Sequence, residues 1–135
     1  MIERIADAIE ARLQGMGLFK AVEKTVTAKI LKSPPSVAVF LAFDRMDTDK
    51  PTTTRLLVWD LLLTVSALGA KKGDDAGSYL DAIRDAFIGW RPWTTGGVLP
   101  AEVPEIRMEG IEQTMIVYTV RLTMKVMPAI IASQG

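Results

Sequence analysis

The feature that most constrains this chain is the run Met115 to Met127. Ile116, Tyr118, Val120, Leu122, Met124 and Val126 share one parity, and Thr119, Arg121, Thr123 and Lys125 share the other. Successive side chains of an extended backbone point to opposite faces, so this run is a strand with one face on a core. Pro128 cannot donate to a ladder and ends it. A shorter alternation, Glu105 to Glu109 with Ile106 and Met108 directed inward, precedes it across a turn region at Gly110 to Gln113. The two read as an antiparallel hairpin.

A sheet with such a face needs partners, and the sequence supplies them. Arg55 to Ser66 places Leu57, Trp59, Leu61, Leu63 and Val65 on one face, with Asp60, Thr64 and Ser66 opposite. A buried helix is the alternative, but the late alternation and flanking turn signals favour a strand. Ser36 to Phe43 is apolar on both parities and reads as a central strand. Residues 19–31, with Val22, Val26, Ala28 and Ile30, read as extended until Ser33-Pro34-Pro35 interrupts them. Asp44 to Thr54 is polar, contains Pro51 and is expected to be a loop.

Two segments switch to helical spacing. In residues 2–14, Ile2, Ile5, Ala6, Ile9 and Leu13 form a stripe, and Gly15 and Gly17 stand where the helix should stop. Residues 75–89 carry Tyr79, Ile83, Ala86, Phe87 and Trp90 at the same spacing, with Asp74, Asp75 or Ser78 as candidate caps. Arg91 to Gly97 is an irregular connection. The expected fold is therefore α+β: a mostly antiparallel sheet with two helices packed on one face, in a single domain spanning residues 1–135. Strands of about 12 residues would run roughly 40 Å, as long as a domain of this size is wide, which hints at an oligomer.

The chemistry is bounded mainly by absences. The chain has no His and no Cys. That excludes Ser-His-Asp and Cys-His catalysis, a His general base, and imidazole or thiolate metal sites. Lys+Arg and Asp+Glu balance at 16 each, with no basic excess for a dedicated nucleic-acid binder. The amino terminus mixes charge into its first turn, unlike a signal peptide. Leu56 to Ala70 is too short for a membrane span and contains Asp60. A soluble protein, made in the cytoplasm, is expected.

The remaining motifs are weak. Asp44, Asp47 and Asp49 match half a calcium loop but lack its Gly and closing Glu. Gly73-Asp74-Asp75 matches a polymerase metal motif but sits where a helix cap is needed. Gly96-Gly97 lacks the rest of a phosphate-cradling loop. Lys71-Lys72 is a short basic patch. No set of residues selects a catalytic site, so no enzyme activity, cofactor or metal is expected. Trp93 lies past the second helix, with no periodic reason to be buried, and beside Arg91 it suits either an interface or packing under the loop.

The opening IERIADAIEARLQGMGLF, the strand PSVAVFLAF from Pro35 to Phe43, the helix GSYLDAIRDAFIGWRP from Gly77 to Pro92 and the closing MIVYTVRLTMKV from Met115 resemble small bacteriophage tail terminator and tail-completion proteins of the Mu-like and lambda-like kinds. The resemblance covers most of the chain and is one of layout, without a signature residue. It implies a structural virion protein of the tail or neck, assembled in the host cytoplasm. Its subunits form a hexameric ring that caps the tail tube, stops polymerisation and offers a docking surface for the head connector. The sheath protein would be a further neighbour, and the genome would pass through the lumen. On chemistry alone, the interface candidates are Arg45, Asp47, Asp49, Lys50, Arg91 and Trp93.

Three rivals stand beside this reading. One is another neck or tail-completion subunit of similar shape. Another is a small carboxylate-based enzyme or ligand-binding domain using Tyr79 or Tyr118, which requires a deep pocket with converging polar groups. The third is a generic interaction module anchored on Trp93.

Overall fold

The computed structural model describes residues 2–25, 37–49, 54–66, 76–93, 97–112 and 115–127. They form helix α1 (Ile2–Gly15), strands β1 (Ala21–Thr25), β2 (Ala38–Asp49) and β3 (Thr54–Ser66), helix α2 (Ala76–Phe87), and strands β4 (Glu102–Glu112) and β5 (Met115–Val126). The sheet order is β1-β2-β3-β5-β4. β1 runs parallel to β2 and every other pairing is antiparallel.

The long alternations dictate this arrangement. Leu57, Leu61, Leu63 and Val65 of β3 stand beside Val39 and Leu41 of β2 and Val120, Leu122, Met124 and Val126 of β5 on one face. Ile5, Ile9 and Leu13 of α1 and Ile83 and Phe87 of α2 close over that face. Each such buried aliphatic side chain stabilises the fold by about 1.5–3 kcal/mol. α1 lies over the β1–β2 side and α2 over the β4–β5 side. Arg12 joins the two helices: its Nε donates to the Ala86 carbonyl at 2.6 Å, and its guanidinium lies over the Phe87 and Trp90 rings.

Both helices end on glycines that the chain geometry requires. Gly17 follows α1 with φ of +69°, and its N–H donates to Gln14 O at 3.2 Å. Gly89 follows α2 with φ of +77° and donates to Ala101 O at 2.9 Å. At Gly17 the left-handed backbone satisfies a carbonyl that the end of α1 leaves open, whereas beside Gly89 the Trp90 N–H does so for Phe87 O at 3.0 Å and Gly89 itself ties the end of α2 to the segment before β4.

Several expectations need correction. β2 does not stop at Phe43, and the expected loop from Asp44 is strand as far as Asp49. The ladder passes from Phe43↔Trp59 to Arg45↔Val58, so Asp44 is an extra residue in a bulge. The bulge flips parity: Met46 joins Leu57 on the helix side, and Arg45 and Asp47 turn to the other face. β4 is also longer than the expected 105–109, and Gly110 and Ile111 extend the ladder rather than turning the chain. Pro104 is accommodated because β4 is an edge strand. Met108 has the expected parity but is 59 % exposed, because it lies on the edge of the sheet and no helix covers it.

The expected strand residues Val26, Ala28 and Ile30, the Ser33-Pro34-Pro35 break, Lys50, Lys71-Lys72 and the candidate caps Asp74 and Asp75 lie outside the described residues. Ser78 lies inside α2 rather than at its cap. Among the described residues no helix is long and apolar enough to cross a membrane.

Candidate functional site

The sheet face away from the helices is where the sequence left most unexplained. At one end it carries a second apolar cluster of Ala38, Phe40, Leu62 and Val117, with Ala21 beside it. Next to this cluster the face turns polar in a single register row. Ala42 stands opposite Asp60, Asp60 opposite Arg121, and Arg121 opposite Glu105. Asp60 is only 6 % exposed. Arg121 Nε donates to Asp60 Oδ1 at 3.0 Å and Nη2 donates to Oδ2 at 3.3 Å. Asp44 in the bulge lies 3.6 Å from the same guanidinium. This forked contact with Asp60 raises the Arg121 pKa further above its ordinary value.

Charges flank this row on both sides. On β2, Arg45 donates to Asp47 at 2.9 Å and to Asp44 at 2.6 Å. On β4, Arg107 bridges Glu105 at 2.9 Å and Glu109 at 2.7 Å. The Thr119 hydroxyl donates to Glu109 at 2.7 Å. That hydrogen bond holds the Glu109 carboxyl below its ordinary pKa, and Arg107 adds to the effect. The result is a belt of paired charges across β2, β3, β5 and β4. Among the described residues no group of three acidic side chains could hold a metal ion.

The sequence candidates do not gather on one surface. Arg45 and Asp47 lie on this polar face, as strand rather than loop residues. Asp49 is the last residue of β2, and Lys50 is outside the described residues. Arg91 is exposed just past α2. Trp93 is half-buried against the core of the helix side, with the Arg4 guanidinium 4.9 Å from its ring centroid.

Sequence reasoning missed a pocket of about 340 Å³ between the start of α1 and the β1 side of the sheet. Ile2, Ala6, Leu41, Phe43 and Trp59 supply its apolar walls, and Glu3, Lys24 and Thr25 its polar groups. Lys24 is ion-paired with Asp7 of α1, chiefly through a direct hydrogen bond that raises the Lys24 pKa. The Phe43 and Trp59 rings meet edge-on at 4.7 Å. Trp59 is 1 % exposed, and among the described residues its Nε1–H has no hydrogen-bond partner. A buried donor left unpaired costs about 1–3 kcal/mol. Among the described residues, Glu3 is the one carboxylate lining this pocket, and neither Tyr79 nor Tyr118 lines it.

No family model matches the chain, and no curated protein matches it. Among solved structures, a chain in the virion of a native gene transfer agent particle is similar. The likeness covers 87 % of this chain and 83 % of that one, at 15 % identity and a TM-score of 0.53. The two chains share a fold.

Proposed function

We propose that this chain is a structural virion protein of a tailed, phage-like particle, acting as a tail terminator subunit. In this reading residues 1–135 form one domain, and copies close into a hexameric ring. The ring caps the tail tube, with the sheath as neighbour where there is one, and presents a surface to the head connector. The genome passes through its lumen. The observation that carries the reading is the fold shared with a chain of a gene transfer agent virion over most of both chains. The absence of His and Cys is compatible with it, as is the neutral charge, which lets DNA pass without being held. Heterologous contacts about a closed rotation produce such rings.

The test is native mass spectrometry combined with negative-stain electron microscopy, with and without purified tail tubes. Hexameric rings seated on tube ends are expected. Binding to the head connector but not to tubes would instead favour another neck subunit. A chain that neither oligomerises at about 1 mM nor binds tubes refutes the proposal.

A second reading, a ligand-binding domain, is favoured by the pocket beside Trp59. It predicts a small molecule retained through purification. Native mass spectra at the bare chain mass would remove it.

A further inference from the structure

The pocket at the start of α1 is lined by two opposite charges, and only one of them is engaged. Lys24 is held by Asp7. Glu3 is exposed, and among the described residues its carboxylate makes no hydrogen bond or ion pair. The walls beside it, Ile2, Ala6, Leu41 and Phe43, are apolar. An occupant that satisfies both features has an apolar stem and a cationic head. Arginine is such a group: its methylenes cover apolar surface, and its planar guanidinium forks onto a carboxylate and stacks on aromatic rings.

The molecule carries a matching cation on its other flank. Lys20, Arg91 and Lys125 are exposed, and among the described residues their charged groups have no partner. Lys20 directly precedes β1, on the flank of the pocket itself, and Lys125 has the parity of the polar face, away from the helices. Arg91 differs from both. It follows Trp90, which packs on the helix-side core. Gly89 N donates to Ala101 O at 2.9 Å and Ala101 N donates to Trp90 O at 2.8 Å, which fixes this segment beside the start of edge strand β4. Its height along the sheet is right as well. Glu102 stands opposite Thr123, and Thr123 adjoins Leu122, the partner of Trp59 in the row that floors the pocket. Three strand spacings, about 14 Å, separate β4 from β2 there. Arg91 and the pocket therefore lie at the same end of the sheet, on its helix side, toward opposite flanks.

Resting on the ring reading above, we infer that the pocket receives Arg91 of a second copy of this chain. The guanidinium pairs with Glu3, and the side-chain stem lies against the apolar wall beside Phe43. Each charge gains the partner that its own subunit does not supply. Arginine seated in a pocket and shielded from water is a recurrent centre of binding energy at interfaces. Donor and receiver are different surfaces on opposite flanks, so the contact is heterologous and repeats from subunit to subunit around a closed rotation.

A charge swap between these two exposed residues tests this without touching the core. Full-length wild type, E3R, R91E and the double variant E3R/R91E are followed by sedimentation velocity up to about 1 mM. Circular dichroism confirms that each is folded, and E3Q stands in if E3R unfolds α1. Each single reversal is expected to weaken association by at least about tenfold per contact, since like charges then meet in the pocket. E3Q, which leaves the arginine without a counter-charge, should weaken it several-fold. The double variant should recover association. So should an equimolar mixture of E3R and R91E, because copies that alternate around the ring place opposite charges at every contact. Rings that form as well with R91E as with wild type, or folded single variants that the double variant and the mixture fail to rescue, overturn the inference and leave the ring reading intact. A wild type that stays monomeric throughout overturns the inference, and failure to bind tubes as well overturns both. A small molecule found in the pocket of the assembled ring also overturns it.

Discussion

The Asp60–Arg121 pair gives the sharpest test of how the sheet is held together. R121M removes both hydrogen bonds and leaves a carboxylate buried among β3 and its neighbours. Removing one partner of a buried pair costs about 3–5 kcal/mol. The Arg121 side chain is 21 % exposed, so the lower end applies, about 3 kcal/mol. With a urea slope of about 2 kcal/mol/M, the unfolding midpoint should fall by about 1.5 M. D60L/R121M removes the charge and the partner together and should lie within about 1 kcal/mol of wild type, because a packed apolar pair replaces a desolvated ionic one. The assay is urea unfolding by circular dichroism at low micromolar concentration, where association does not add to stability. If R121M loses less than about 0.5 kcal/mol, or the double variant is as unstable as R121M, the cost of a stranded buried charge is the wrong account.

Three further outcomes follow from the same geometry. Glu109 has a lowered pKa, so its stabilising contribution is complete above the ordinary glutamate value of about 4.5 and is lost as pH falls through the folded value. Acid unfolding of E109Q should therefore be less steep than that of wild type below about pH 4.5, and T119V should move the wild-type curve the same way. G17A places a Cβ at φ of +69° and should cost about 1 kcal/mol, read as a lower melting temperature, whereas G15A, inside the helix, should be neutral or stabilising. L13A, at a fully buried position of α1, should cost about 2–5 kcal/mol in the same urea assay, and R12A should cost less, as its ring contacts and its hydrogen bond to Ala86 lie at the surface.

Much of the architecture was legible because burial imposes a period. The stripe Ile5, Ile9, Leu13 and the alternation from Ile116 to Val126 each admit one reading, and both helices cover the expected face. The end of β2 was not legible. The bulge at Asp44 separates Phe43 from the next inward apolar residue, Met46, by three positions instead of two, which erases the strand period just where the residues turn polar. Met108 has the right parity, but parity specifies a face, not whether anything covers it. The candidate site was less legible still. Asp60 and Arg121 each read as one more member of a polar strand face, and only register brings them together. Nothing in the sequence around Trp59 signals that its indole N–H lacks a partner among the described residues.

The sheet order also bears on how the chain reaches its native state. β2 with β3, and β4 with β5, are neighbours along the chain and can zip from their own ends, whereas Ser66 meets Met115 only after the intervening helix and edge strand have been laid aside. That seam joins the two halves through the middle of the molecule, where loop closure is most demanding entropically. Substitutions at Leu61 or Val120 should therefore slow refolding, while those confined to the outermost strand should chiefly hasten unfolding.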